Sequence, residues 1–137
     1  MALTAPRATA QIQNPEKRNL PVAANVAVWQ GGLAMLVGGY VKPGAVATGG
    51  LGVGRFSASV SNIGGAAGAV SVDVRTGVFK FFNSSGGDAI TNANIGATVY
   101  IVDDETVALT NGSGTRSPAG TVFLVDPDDN GVFVDFA

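Results

Sequence analysis

Apolar and polar positions alternate most cleanly over residues 69–75, where Val70, Val72 and Val74 are separated by Ser71 and Asp73. A period of two puts the three valines on one face of a β-strand. Thr76-Gly77 follows as turn chemistry, then Val78-Phe79-Lys80-Phe81-Phe82, so the two runs predict a hairpin. Further short runs at residues 33–37, 51–60, 97–102, 106–110, 121–126 and 132–136 are each bounded by Gly, Asp, Asn, Ser or Pro and predict strands. The window 26–41 is apolar but carries Gly31, Gly32, Gly38 and Gly39. It is too short for a membrane helix of about 20 residues and reads as paired strands broken by turns. Only residues 88–96 suggest a helical turn, ending at Gly96. About eight short strands at spacings near ten residues predict an all-β fold, a small β-barrel or sandwich.

Composition sharpens this picture. Val outnumbers Leu 19 to 7 and there are 20 glycines, a balance that suits pleated strands and weakens helices. Residues 1–25 differ from the rest: Pro6, Pro15 and Pro21 interrupt a stretch of Ala, Thr, Asn and Gln with no sustained period. Such a segment predicts an extended N-terminal arm over 1–25 ahead of a β-rich domain over 26–137. With 137 residues, one domain is expected.

The absence of Cys and His excludes disulfides, thiolate or imidazole metal sites and His-based triads, so the chain does not read as an enzyme. Asp126-Pro127-Asp128-Asp129-Asn130-Gly131 matches the first half of a calcium loop, but its twelfth position is Ala137 instead of a clamping Glu. A polar hairpin turning at Asn130-Gly131 is expected there. Asp103-Asp104-Glu105 reads as a solvated turn, because adjacent strand residues point to opposite faces. Gly49-Gly50-Leu51-Gly52-Val53-Gly54-Arg55 lacks the lysine of a phosphate loop and reads as a Gly-rich strand or bulge. No cofactor or metal is expected.

Net charge is −2, but the two ends differ in sign. Arg7, Lys17, Arg18, Lys42 and Arg55 face only Glu16 in the first 60 residues, whereas Arg116 stands against seven acids from Asp103 to Asp135. The scattered basic residues do not make the stripe that nucleic acid requires, and no membrane partner is expected. The first residues have no apolar stretch of the kind a secretory leader carries, so the cytoplasm is the expected site of synthesis.

One resemblance adds to this reading. It is carried by Gly54-Arg55, Gly64-Gly65-Ala66-Ala67-Gly68, Val72-Asp73-Val74-Arg75-Thr76-Gly77-Val78-Phe79 and Phe82-Asn83-Ser84-Ser85-Gly86-Gly87-Asp88-Ala89-Ile90. Ile95-Gly96 leading into Val99-Tyr100-Ile101-Val102-Asp103-Asp104 continues it, as do Ala119-Gly120-Thr121-Val122 and Gly131-Val132-Phe133-Val134. From about Leu33 onward this order of features resembles the capsid decoration, or cement, proteins of tailed-phage and prophage heads. The resemblance implies a β-rich module that binds the major capsid protein on the outer surface of an assembled head and reinforces it. It also implies a homo-oligomer, a trimer ahead of a dimer, and a virion location after synthesis in the host cytoplasm. The arm lies outside the resemblance. Its composition makes it the candidate capsid-binding segment, with Arg7, Lys17 and Arg18 meeting acidic groups and Leu3, Ile12, Leu20 and Val22 becoming buried. The competing reading is a carbohydrate- or cell-surface-binding β module, which needs exposed aromatics on one face; the candidates are Trp29, Tyr40 and Tyr100 beside the phenylalanines.

Overall fold

The computed structural model describes residues 2, 4–8 and 16–136. The chain is all-β, with twelve strands among the described residues: β1 (Lys17–Pro21), β2 (Ala27–Val28), β3 (Leu33–Val37), β4 (Tyr40–Pro43), β5 (Leu51–Phe56), β6 (Val60–Ser61), β7 (Ser71–Arg75), β8 (Val78–Phe81), β9 (Thr98–Ile101), β10 (Val107–Ala108), β11 (Pro118–Val125) and β12 (Val132–Asp135). They form two five-stranded antiparallel sheets, ordered β1-β7-β5-β3-β4 and β10-β9-β11-β12-β8, and a small β2-β6 ladder. Among the described residues no closed barrel forms. Each large sheet nevertheless brings its margins together at one bridge, Val22↔Val41 in the first and Phe82↔Thr106 in the second. The expected helical turn resolves into two short 3-10 turns, Gly86–Asp88 and Asn92–Asn94, before Gly96.

Two cores result. The first gathers Val22, Val28, Ala34, Val41, Val53, Phe56, Val72 and Val74. The second gathers Phe81, Ile90, Val99, Ile101, Val107, Val122, Val132, Val134 and Phe136 with neighbours, and also takes Leu33 and Met35 from β3. Strand β3 therefore serves both: Ala34 faces the first core while Leu33 and Met35 face the second. A strand buried on both faces shows an unbroken apolar run instead of alternation, which is the pattern of Leu33-Ala34-Met35-Leu36-Val37.

The Gly-rich string is a strand, as its composition predicts, and the structure supplies the reason for its glycines. A β-bulge in the β3–β5 pairing lets Ala34 pair with Gly54 and Met35 with Gly52, while Val53 turns into the first core. A Cβ at Gly54, where φ is +137, would collide with the Arg75 carbonyl oxygen of β7. One at Gly52 would collide with the backbone of Ala119 in β11, on the opposite sheet. Side chains at these positions would force the sheets apart.

Two expectations need correction. Residues 69–75 and 78–82 do form strands, and Val72 and Val74 are buried as the alternation requires, but they are not a hairpin. Strand β7 is flanked by β1 along its whole length and by β5 at Arg75 and Val74, so neither edge is free for β8. Thr76-Gly77 instead carries the chain into the second sheet, where β8 pairs with β12. The expected arm is likewise extended only in part as a separate segment. From Lys17 it is strand β1, with Lys17↔Arg75 through Pro21↔Ser71 in register, and Val22 is fully buried. Leu20 and Val22 are the period-two signal here. Pro21 is tolerated because it ends a strand at the sheet margin.

Candidate functional site

An open groove of about 860 Å³ lies where three pieces of the second sheet meet. Its floor is the chain leaving β8. Phe82 donates its N–H to the Glu105 carbonyl (2.8 Å) and accepts from the Val107 N–H (3.0 Å), so its backbone is clamped while the side chain is left outside. The residue is 63% exposed although its neighbour Phe81 is buried, the usual outcome of two adjacent aromatics on one strand. Asn83 fixes the next turn. Its Oδ1 accepts from the N–H groups of Ser84 (2.8 Å) and Ile90 (2.9 Å), and its Nδ2 donates to the carbonyls of Ile90 (2.8 Å) and Asn130 (3.2 Å). The Ser84 hydroxyl donates to the Val107 carbonyl at 2.9 Å.

One wall is the β11–β12 hairpin tip, a polar turn as its sequence predicts. Asp126 N–H donates to the Gly131 carbonyl (2.8 Å), and Asn130 adopts φ +63, a conformation Asn tolerates better than most residues. Lys80 of β8 reaches across with its Nζ 3.0 Å from Asp126 and 2.6 Å from Asp129. Bonds to Asp129 and then Asp126 push the Lys80 ammonium above its ordinary range. The Asp128 N–H and then Lys80 hold Asp126 below the carboxylate range; Lys80 and then the Gly131 N–H do the same for Asp129. Two carboxylates of the calcium-like sequence are thus ion-paired within the chain.

The other wall is the turn at Asp103-Asp104-Glu105. Asp103 Oδ1 accepts from the Glu105 N–H at 2.9 Å, an Asx-type turn, and the Asp104 carbonyl accepts from Leu33 N–H at 2.8 Å. The acidic run is a turn docked on both sheets, with the Glu105 side chain exposed. Gly31, in the turn closed by Gly32 N–H on the Trp29 carbonyl, lies on the groove rim two residues from Trp29.

The residues expected to bind a capsid do not share this groove. Leu3 and Ile12 lie outside the described residues. Arg7 is exposed, as are Lys17 and Arg18 on β1, although Lys17 is ion-paired to Asp73 at 3.1 Å. Asp73 is held below its usual range by Asn19 and then by Lys17. Leu20 is half-buried against the first core and Val22 is part of it, so Val22 has no surface to offer. Large apolar side chains do stand out elsewhere, with Trp29 and Ile63 each 66% and Phe123 57% exposed. The groove itself was invisible to pattern reading, since its walls come from segments more than 20 residues apart. The one local signal was the Phe81-Phe82 pair. Comparison with protein-family profiles, curated proteins and solved structures finds no match to this chain.

Proposed function

We propose that the protein decorates the outer surface of a tailed-phage head and acts there as a non-enzymatic structural module bound to the major capsid protein. The observation that carries this reading is the way the chain enters the fold. Residue 2 and residues 4–8 are exposed, and the chain joins the body through β1, a margin strand bearing the exposed cations Lys17 and Arg18. A segment placed there is able to pair with a shell subunit while the body stays folded. Binding only to the assembled lattice stabilises that lattice by mass action, without chemistry. The exposed Trp29, Ile63 and Phe123 support self-association as well, and a homotrimer at a local three-fold position is the oligomer proposed.

The test removes residues 2–15 and leaves β1 intact. The truncated protein is expected to fold and oligomerise normally but to stop co-sedimenting with undecorated heads. Full retention on heads would move the attachment surface to the β body, and a monomer by sedimentation at high concentration would remove the trimer.

A further inference from the structure

We infer that the groove between the β11–β12 hairpin tip and the turn at Asp103-Asp104-Glu105 is a binding site for a neutral oligosaccharide. This reaches beyond capsid attachment and rests on different residues.

Phe82 supplies an aromatic surface 63% exposed and anchored by two backbone hydrogen bonds, so presenting it to a ligand requires no rearrangement. Around it Ser85, Glu105, Thr106 and Asn130 line the same groove, and their side chains make no hydrogen bond within the described residues. Together they offer hydroxyl and amide groups that donate and accept, and a carboxylate that accepts. Asn83 and Ser84, by contrast, spend their side chains on holding the floor. The volume of about 860 Å³ is within the range of small-ligand sites, about 300–1,000 Å³.

Other ligand classes fit less well. An anion would meet Lys80 already paired with Asp126 and Asp129, with Glu105 opposite. An acyl chain would find one exposed ring and bury the polar groups beside it without partners, which is costly. A neutral sugar uses both features: the C–H face of its ring packs on Phe82, and its hydroxyls pair with the unengaged groups. Were the protein arrayed in many copies on one particle, as proposed above, a weak single-site affinity would be multiplied.

The experiment titrates the full-length ¹⁵N-labelled protein with maltotriose, cellotriose, chitotriose and lactose, each to 10 mM (about the weak limit of a specific site), and with a Lys-rich peptide. At least one sugar is expected to shift amides of Phe82, Ser85, Thr106 and Asn130 and not those of β1. Phe82→Ala should weaken that binding about tenfold, as loss of an aromatic contact does. Glu105→Gln, which keeps the shape and removes the charge, should retain sugar binding within about threefold, because the amide oxygen still accepts from a sugar hydroxyl. Both side chains are exposed, and an otherwise unchanged spectrum verifies that each variant folds. No shift with any of the four sugars overturns the inference. So does sugar binding that Phe82→Ala leaves unchanged, or binding of the peptide alone that Glu105→Gln abolishes.

Discussion

The two cores differ in how they are built, although valine is the commonest residue in each. The first holds eight buried residues with Phe56 as its one aromatic, and its strands approach so closely that β5 needs glycine. The second is larger, holds Phe81 and Phe136 in an edge-to-face contact with centroids 5.9 Å apart, and borrows Leu33 and Met35 from β3. The groove opens over the second core, whereas the N-terminal segment enters over the first. Small side chains and glycine let the first sheet pack tightly against its neighbours. Strand β3 belongs to both, so the two regions are expected to fold as one unit.

The largest effect should come from closing the tight approach. Gly54→Val places a branched side chain at φ +137 against the Arg75 carbonyl, and is expected to destabilise by at least about 4 kcal/mol or prevent folding. Gly87→Ala is the control, since its Cβ would meet open space. Equal thermal midpoints for the two variants would mean that the first sheet is not tightly packed.

Next are the cores themselves. Phe56→Ala in the first and Phe81→Ala in the second should each cost about 3–5 kcal/mol. Because β3 is common to both, each variant should still melt in a single transition by calorimetry. Two separated transitions would break the claim of one cooperative unit.

Deletion sharpens the boundary of the first region. Removing residues 2–22 takes away β1 and the buried Val22 and should yield an unfolded or aggregating chain, whereas removing residues 2–15 should leave the circular dichroism spectrum and melting point nearly unchanged.

The smallest effect concerns the ion pairs of the hairpin tip. Asp126 and Asp129 have lowered folded-state values, so their contribution is present above the ordinary value of 3.8 and is lost as pH falls through the folded values. Lys80 is raised, so its contribution is present below 10.5 and is lost as pH rises through its folded value. Lys80→Met should therefore flatten stability at both pH extremes, by a small amount because the groups are solvated. A variant with an unaltered pH–stability profile would show that the pairs contribute nothing.

Much of the secondary structure was legible because it depends on neighbours in sequence. The alternation of Val70, Val72 and Val74, the polar turn after Asp126 and the acidic turn after Val102 each carry a local physical cause, although the first of these turns reverses over residues 127–130 and Gly131 already pairs across to Asp126. Strand β1 was missed because three prolines and a polar composition outweighed the short alternation of Leu20 and Val22. The missing twelfth ligand marks the calcium-like loop as a hairpin, yet its ion pairs with Lys80 are not legible in the sequence, since Lys80 lies 46 residues from Asp126.

The sequence by itself determined that the chain is β-rich, where its strands break and which faces of them are apolar, because side-chain period and turn chemistry act over two to six residues. Only the tertiary structure decided which strand lies beside which. A period-two pattern names the buried face of a strand but not the partner at either edge. Here β1 and β5 occupied both edges of β7, sent β8 to the other sheet, and thereby placed Phe82 between two distant turns.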